Sequence, residues 1–394
     1  MKVKFIDQLD LQDKNIIIRV DYNVPYDKNL QITDDTRIKA TFPTIKYCQN
    51  KGNKIILISH LGRPKGKPDP SLTLKPVAER LSELLNKKIK FIPNSLKTDL
   101  EQIKSIIAKE EIVLLENIRF YPEEEKNDSA FAQELASLAE VYINDAFATA
   151  HRGHASNEAI TNYISIKAAG FLLKNEIEYF SKALQNPQRP LGAIIGGAKV
   201  SSKLKILENI VTKVDFLIIG GGMAFTFLKA QGSQIGNSIL EEDLISTAKE
   251  ILSKASKNNT EILLPLDILV AEKFDNESPT KVVKANQIPA NQIGLDIGPE
   301  TINLFSDKIK KAQTIIWNGP MGAFEMSNFA TGTKSIAKIL ADSKVLSIVG
   351  GGDSVTALKQ TNLADKMSYI STGGGAFLEL LEGKTLPGIV ALEK

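Results

Sequence analysis

"IVGGGDSVTA", residues 348–357, ends an apolar run with three glycines and an acid, then resumes as a helix. "IIGGAKV" from 194, "IIGGGMAF" from 218 and "STGGGAF" from 371 repeat the pattern. A run rich in β-branched residues reads as a strand, and the polar-spaced run behind each glycine turn reads as a helix. Strands that feed helices repeatedly predict a parallel sheet covered on both faces. The glycines leave backbone amides bare at the turn, where an oxyanion can approach without meeting a Cβ.

Outward from these junctions the alternation continues. "NIIIRVDY", "KIILISH", "EIVLLEN" and "VYINDAF" read as strands of one sheet. "LGAIIGG", "DFLIIGG", "EILLPLD", "TIIWNG", "VLSIVGG" and "SYISTGG" read as strands of another. Between strands lie amphipathic patterns such as "LKPVAERLSELLN" and "AFAQELASLAEV". The expected fold is α/β with two lobes, each a parallel β-sheet flanked by helices in a Rossmann-like three-layer arrangement, which suits 394 residues. "GFLLKNEIEYFSKALQNPQRP" reads as a long helix stopped at Asn186-Pro187, a joining helix and hinge between the lobes. The boundaries follow as 1–169, 170–186 for the joining helix, and 187–382.

Charge is near balance, 49 basic against 46 acidic residues, so no uniform field favours nucleic acid or a membrane surface. A single cysteine, Cys48, excludes an internal disulfide and suits a reducing compartment. With no leader-like apolar run and no span of membrane length, a cytoplasmic protein is expected. The basic residues are unevenly spread. All seven arginines and all three histidines lie within the first 189 residues, whereas the other 42 basic residues are lysines. Rigid, bidentate anion donors are thus concentrated in the half that lacks the glycine turns.

Almost every strand ends in polar or glycine residues, and ligands of open α/β sheets sit beyond the carboxyl ends of the strands. In the first half these ends carry Asp21, Asn23, His60, Arg63, Arg119 and Arg152, with Arg37 in "TDDTRIKA". Four arginine forks suit a small, multiply charged anion. Arg19, inside a strand two residues before Asp21, reads as a structural ion pair, and Arg80 and Arg189 as surface. His151 and His154 lack companions for a zinc set. No nucleophile elbow occurs and Cys48 falls in a helical stretch, so covalent catalysis lacks support.

In the second half, Lys199 and Lys203 are four apart and are expected on one face of a helix beginning at the glycines, a phosphate site. "GGGDS" and "TGGGA" offer amides at Gly351, Gly352 and Gly374. Asp353 beside a phosphate site would repel it unless a cation such as Mg²⁺ bridges them. Glu325 is in reach of ribose hydroxyls or lies on a solvated face, and Trp317 reads as packing. Neither G-x-x-x-x-G-K-[ST] nor the G-x-G-x-x-G dinucleotide fingerprint occurs, and the protein-kinase motifs are missing. A two-lobed binding protein would leave the glycine–lysine set unexplained, and a nicotinamide dehydrogenase would lack its fingerprint.

Eleven motifs in order, "RVDYNVP", "SHLGRPKG", "LKPVAERL", "LLENIRF", "NDAFATAHRGHAS", "GGAKVSSK", "GGGMAFTFL", "GLDIGPE", "WNGPMGAFE", "GGGDSVTA" and "STGGGAFLELLEGKTLPG", resemble phosphoglycerate kinase from residue 19 to 388. The resemblance implies reversible transfer of the acyl phosphate of 1,3-bisphosphoglycerate to MgADP, giving 3-phosphoglycerate and ATP in glycolysis, by direct in-line transfer with hinge closure. It implies a phosphoglycerate-binding N-terminal lobe using Asp21, Asn23, Arg37, His60, Arg63, Arg119 and Arg152. It implies a nucleotide-binding C-terminal lobe using Lys199, Lys203, Gly294, Asn318, Glu325, Gly351, Gly352, Asp353 and Ser354, with Asp353 at the metal. Arg37, Lys199, Gly351 and Gly374 are then expected around the transferring group, and the tail, about 383–394, is expected to pack on the first lobe. Small-molecule substrates and a monomer are expected. Tyr22, Gly153 and Ser354 depart from the family's usual phenylalanine, alanine and threonine without removing a charge.

Overall fold

Five consecutive residues of the first strand, Ile16 to Val20, are buried, which an alternating one-faced strand could not satisfy. In the computed structural model, which describes residues 2–93 and 100–393, this strand lies inside a six-stranded sheet. The strands are β1 Asn15–Val20, β2 Lys54–Ile58, β3 Lys90–Ile92, β4 Ile112–Leu115, β5 Val141–Asp145 and β6 Ile166–Ala169. Their order is β3-β4-β2-β1-β5-β6 and every pairing is parallel. Connecting helices are α1 Thr36–Ala40, α2 Phe42–Gln49, α3 Lys75–Leu85, α4 Leu100–Ile107, α5 Pro122–Glu125, α6 Ser129–Ala136 and α7 Phe171–Phe180. Val77, Ala78 and Leu81 of α3 share one buried face and join Ile16, Ile18 and Leu57 in the core.

The chain divides into two units, Met1–Ile177 with Thr385–Lys394, and Glu178–Lys384. The division falls inside α7, which passes into a π-helical turn, Ser181–Gln185, and ends at Asn186 before Pro187. Into the first unit also goes α15, Pro387–Glu393, whose Ile389, Ala391 and Leu392 are buried and whose Gly388 amide donates to the Ala150 carbonyl at 2.8 Å.

The second unit holds another parallel sheet: β7 Leu191–Ile195, β8 Phe216–Ile219, β10 Glu261–Leu263, β15 Thr314–Asn318, β16 Leu346–Val349 and β17 Tyr369–Ile370, in the order β10-β8-β7-β15-β16-β17. A three-stranded antiparallel sheet accompanies it, β11 Asp267–Ala271 between β12 Thr280–Lys284 and β14 Ile293–Ile297, with a two-stranded pair, β9 Gln234–Ile235 and β13 Gln287–Ile288. Its helices are α8 Leu204–Ile210, α9 Ala224–Ala230, α10 Ile245–Lys257, α11 Pro299–Ile309, α12 Thr331–Ala341, α13 Gly352–Thr361 and α14 Gly375–Leu381.

"EILLPLD" reads as one strand from the sequence. The structure uses Glu261–Leu263 for β10 and starts β11 at Asp267, because Pro265 has no amide to donate to a ladder. Each six-stranded sheet has one switch point. Successive strands run to one side of β1 until β5 begins the other, and to one side of β7 until β15 begins the other. Loops leaving these strand pairs diverge there and open a crevice.

Candidate active site

In the first unit, the loops after β1 and β5 carry Asp21, Asn23 and Arg152, and those after β2 and β4 carry His60, Arg63 and Arg119. Asp21 organises them. Its carboxylate accepts from Arg37 at 2.5 Å and from the Asn23 amide at 3.1 Å, and lies 3.8 Å from His60 Nδ1. The Asn23 side chain accepts from the Gly62 amide at 2.9 Å, tying the β1 loop to the β2 loop. Arg119 donates to the Gly62 carbonyl at 2.8 Å and lies 3.4 Å from Glu125. Burial and neighbouring Arg19 push the Arg119 guanidinium below its ordinary pKa. Arg63 and Arg152 are exposed, and neither side chain pairs with a carboxylate among the described residues. An arginine-poor chain that leaves two forks unneutralised, with Arg152 near enough to Arg119 to act on its charge, holds an anion-ready surface.

His60 is buried, and burial, reinforced by Arg19, Arg119, Arg37 and His154, holds its pKa well below the ordinary histidine value. His154 is lowered to about 4 by burial and by Arg119, Arg19 and Arg152. Both rings are therefore neutral near pH 7. Arg19 corrects one expectation. Its guanidinium, fully buried, does not close a pair with Asp21; it donates to Ser156 Oγ at 2.9 Å, to the Val20 carbonyl, and to His60 Nδ1 at 3.3 Å. Asp21 lies just past the end of β1 and is already engaged by Arg37, while the Arg19 donors are taken by Ser156, Val20 and His60.

A roomier hollow of about 910 Å³ lies between residues 29–35 and α3. It is lined by Asp35, Lys39, Arg80 and Glu83, which pair among themselves, and by none of the expected anion ligands.

In the second unit, a cavity of about 490 Å³ has Gly197, Gly221, Gly222 and Gly294 in its lining, with Phe225, Ile239, Ile268 and Phe274 as apolar walls. Asp296, Glu325 and Asp353 also line it. Few polar groups in a largely apolar slot of this size suit a flat heterocycle with a polar appendage. Beside it Lys203 donates to Asn318 Oδ1, and Asn318 Nδ2 donates to the Gly350 carbonyl at 2.6 Å. The Lys203–Asn318 bond joins the loop after β7 to the end of β15, the two strands of the switch point. Burial lowers the Lys203 pKa and the nearby Asp353 carboxylate opposes it. Ser354 is buried, its hydroxyl accepting from the Gly319 amide at 2.6 Å. Trp317 is packing, as expected, its indole donating to the Gly319 carbonyl at 2.7 Å.

The lysines correct a second expectation. Helix α8 starts only at Leu204, so Lys199 and Lys203 sit in the irregular turn before it instead of on one helix face. Lys199 is exposed there and does not line the cavity. Gly351 and Gly374 are the residues immediately before α13 and α14, both at positive φ, +95° and +43°. Among the described residues no three His, Cys, Asp or Glu side chains cluster to hold a metal. Asp353, exposed in the first turn of α13, fits a cation that takes its other ligands from phosphate and water.

The phosphoglycerate kinase family model matches residues 6–384. A phosphoglycerate kinase from Geotalea daltonii is 54% identical over 396 residues, covering 100% of this chain and 99% of the relative. The chain belongs to the phosphoglycerate kinase family. A cytosolic phosphoglycerate kinase from Nicotiana tabacum is 51% identical, over 98% of this chain and 97% of its own. The structure of phosphoglycerate kinase from Coxiella burnetii superposes with a TM-score of 0.93 at 42% identity, covering 99% of this chain and 98% of that one.

As a phosphoglycerate kinase, the chain has features that its motifs alone left unread. The apolar cavity walls come from α9, the 236–240 loop, β11 and the loop after it, so no spacing in the sequence collects them. Phe274, a lone aromatic in the charged stretch "AEKFDNES" and 62% exposed, was the one visible signal. Buried Glu124, which takes both the amide and the hydroxyl of Ser156 at 2.9 and 2.6 Å, gave none, because acids in "YPEEEK" read as surface.

Proposed function

We infer that the chain catalyses reversible transfer of the acyl phosphate of 1,3-bisphosphoglycerate to MgADP, giving 3-phosphoglycerate and ATP. The family match running through both candidate sites carries this reading. The first unit is the phosphoglycerate-binding one. Arg63, Arg119 and Arg152 take the phosphate and carboxylate oxygens, while Asp21 and Asn23 hold the β1 loop and Arg37 in register. His60 offers a neutral N–H donor. The second unit is the nucleotide-binding one, with the base between the glycine turns and the Phe225–Ile268 wall, Gly294 on the cavity floor, Glu325 near the ribose, and Lys203, Asn318 and the Gly351–Ser354 turn toward the phosphates. Mg²⁺ held by Asp353 would neutralise phosphate charge beside that carboxylate.

Phosphoryl transfer needs positioning and charge stabilisation more than a protein nucleophile. Cys48 is no candidate nucleophile, since burial pushes its thiol up to about 12. Arg37, Lys199 and the amides at Gly351 and Gly374 are assigned to the transferring group. ATP formation from ADP and 1,3-bisphosphoglycerate tests the activity directly, and folded protein without it sinks the reading. A Lys199→Ala variant is expected to lose about 10²–10³ in turnover with its stability intact. Direct transfer also requires the two ligands to meet with water excluded. Solution scattering should therefore report a smaller radius of gyration with both ligands bound than with neither. A cytoplasmic location accords with the cytosolic relatives, and a monomer is proposed with it, whose mass light scattering at working concentration checks.

A further inference from the structure

We propose that Arg19 is a positioning residue that fixes His60 as its Nε2–H tautomer, so that the ring presents an N–H donor to the bound anion. This rests on the reading of His60 as a phosphoglycerate ligand. Arg19 Nη2 lies 3.3 Å from His60 Nδ1. A guanidinium has five donors and no acceptor, so Nδ1 must accept. A proton on Nδ1 would set donor against donor at that distance. Asp21 is no alternative acceptor for such a proton. Its Oδ1 lies 3.8 Å from Nδ1, beyond hydrogen-bond reach, and already takes the Asn23 amide, while Oδ2 takes Arg37. With Nδ1 accepting and the ring neutral among Arg19, Arg37, Arg119 and His154, the one ring proton sits on Nε2.

Arg19 is itself locked. It is fully buried and cannot touch a ligand from where it stands. Ser156 Oγ accepts from Arg19 Nε at 2.9 Å and donates to Glu124 at 2.6 Å. Glu124, also fully buried, supplies the negative charge that makes a buried guanidinium tolerable, and the Arg19 charge in turn lowers the Glu124 pKa that burial raises. The chain Glu124–Ser156–Arg19–His60 thus carries orientation from α5 and the loop after β5 to the end of β2. An imidazole of the other tautomer would aim a lone pair at the anion and repel it.

The test uses the intact protein with ¹⁵N-labelled histidine. Only three histidines are present, and a His60→Gln variant assigns the resonances of His60. A long-range ¹H–¹⁵N correlation at pH 7.5 without ligand is expected to show His60 protonated on Nε2 and bare on Nδ1. An Nδ1–H or doubly protonated pattern overturns the proposal outright. Arg19→Met should turn the pattern into a tautomer mixture and raise KM for 3-phosphoglycerate about tenfold or more, KM for ATP staying put, with Arg19→Lys recovering part of the loss. A pure Nε2–H pattern and normal KM in Arg19→Met also overturn it. If Arg19→Met does not fold, Ser156→Ala, which frees Arg19 Nε, should move both readouts the same way by less, and no movement counts against the proposal. A His60→Gln variant with unchanged KM would instead sink the ligand reading, while the wild-type spectrum still decides the tautomer.

Discussion

Glycine at a strand–helix junction has two distinct reasons to be there, and the structure separates them. A Cβ on Gly350 would lie 2.3 Å from the Phe377 ring, on Gly196 2.1 Å from the Pro320 carbonyl, and on Gly220 2.4 Å from the Met321 sulfur. These glycines serve packing. A Cβ on Gly352 or Gly374 would meet nothing within 4 Å. Gly374 has a positive φ to explain it, but Gly352 is the first residue of α13 and has neither constraint. Gly352→Ala should therefore keep or raise stability, by up to about 1 kcal/mol from helix propensity. It should nevertheless raise KM for ADP about tenfold by putting a methyl where phosphate approaches. Urea melts and initial rates on one preparation check both, and a normal KM would mean this glycine serves no ligand. Gly351→Ala should behave oppositely, losing stability as well, since its φ is +95° and its Cβ would lie 2.4 Å from Asn318 Nδ2. The triplets were plain in the sequence, but which glycine faces a ligand was not, because Phe377, Pro320 and Asn318 arrive from separate segments. The partners of Arg19 are hidden in the sequence for the same reason: Ser156, which links it to Glu124, is 137 residues away.

At the scale of elements, several helices begin on a buried carboxylate from a strand end. Asp145, at the end of β5, accepts from the Leu172 and Leu173 amides of α7 at 2.9 and 3.2 Å. Asp296, in β14, accepts from the Gly332 amide of α12 at 2.7 Å. Burial raises each to about 7, although these amides oppose the shift. A carboxyl whose folded pKa is raised stabilises the fold most below its unfolded pKa, and that contribution drains away as pH rises through the folded value. Stability from these two groups is thus lost between about pH 4 and 7. Asp145→Asn, which keeps an acceptor for α7, should flatten the fall in unfolding free energy between pH 5 and 8 by on the order of 2 kcal/mol. Denaturant titrations at the two pH values measure it, and an unchanged slope would show that Asp145 ionises normally. Central strands were legible because continuous apolar runs permit little else. The edge strands β3 and β6 were not, since "KFI" and "IKAA" are short and each contains a lysine, nor was the antiparallel sheet, whose β12 is exposed along most of its length.

On the scale of the whole molecule, the two six-stranded sheets share one plan, a switch point flanked by the longest and most buried strands, and that plan follows from the order of apolar runs. Placement of the last helix does not. The residues of "PGIVALE" would serve either sheet, yet Ile389 and Leu392 are buried in the first unit and the Lys2 amide donates to Glu393 at 2.9 Å. Removing residues 385–394 should destabilise the first unit by on the order of 5 kcal/mol through the lost burial of Leu386, Ile389 and Leu392. The second unit should be spared. Hydrogen exchange resolves the two, with faster exchange in β1, β5 and β6 and unchanged protection in β7 and β15 expected. Equal loss in both would show that the units do not unfold independently.

This division of the first unit has a consequence for synthesis. Translation proceeds from the N-terminal side, so residues 1–177 leave the ribosome more than two hundred residues before α15 does. Through that interval the first unit lacks α15 and the apolar partner that Ile389 and Leu392 provide, while every residue of the second unit, uninterrupted in sequence, is made before that helix. The part of the enzyme made first is therefore the part finished last.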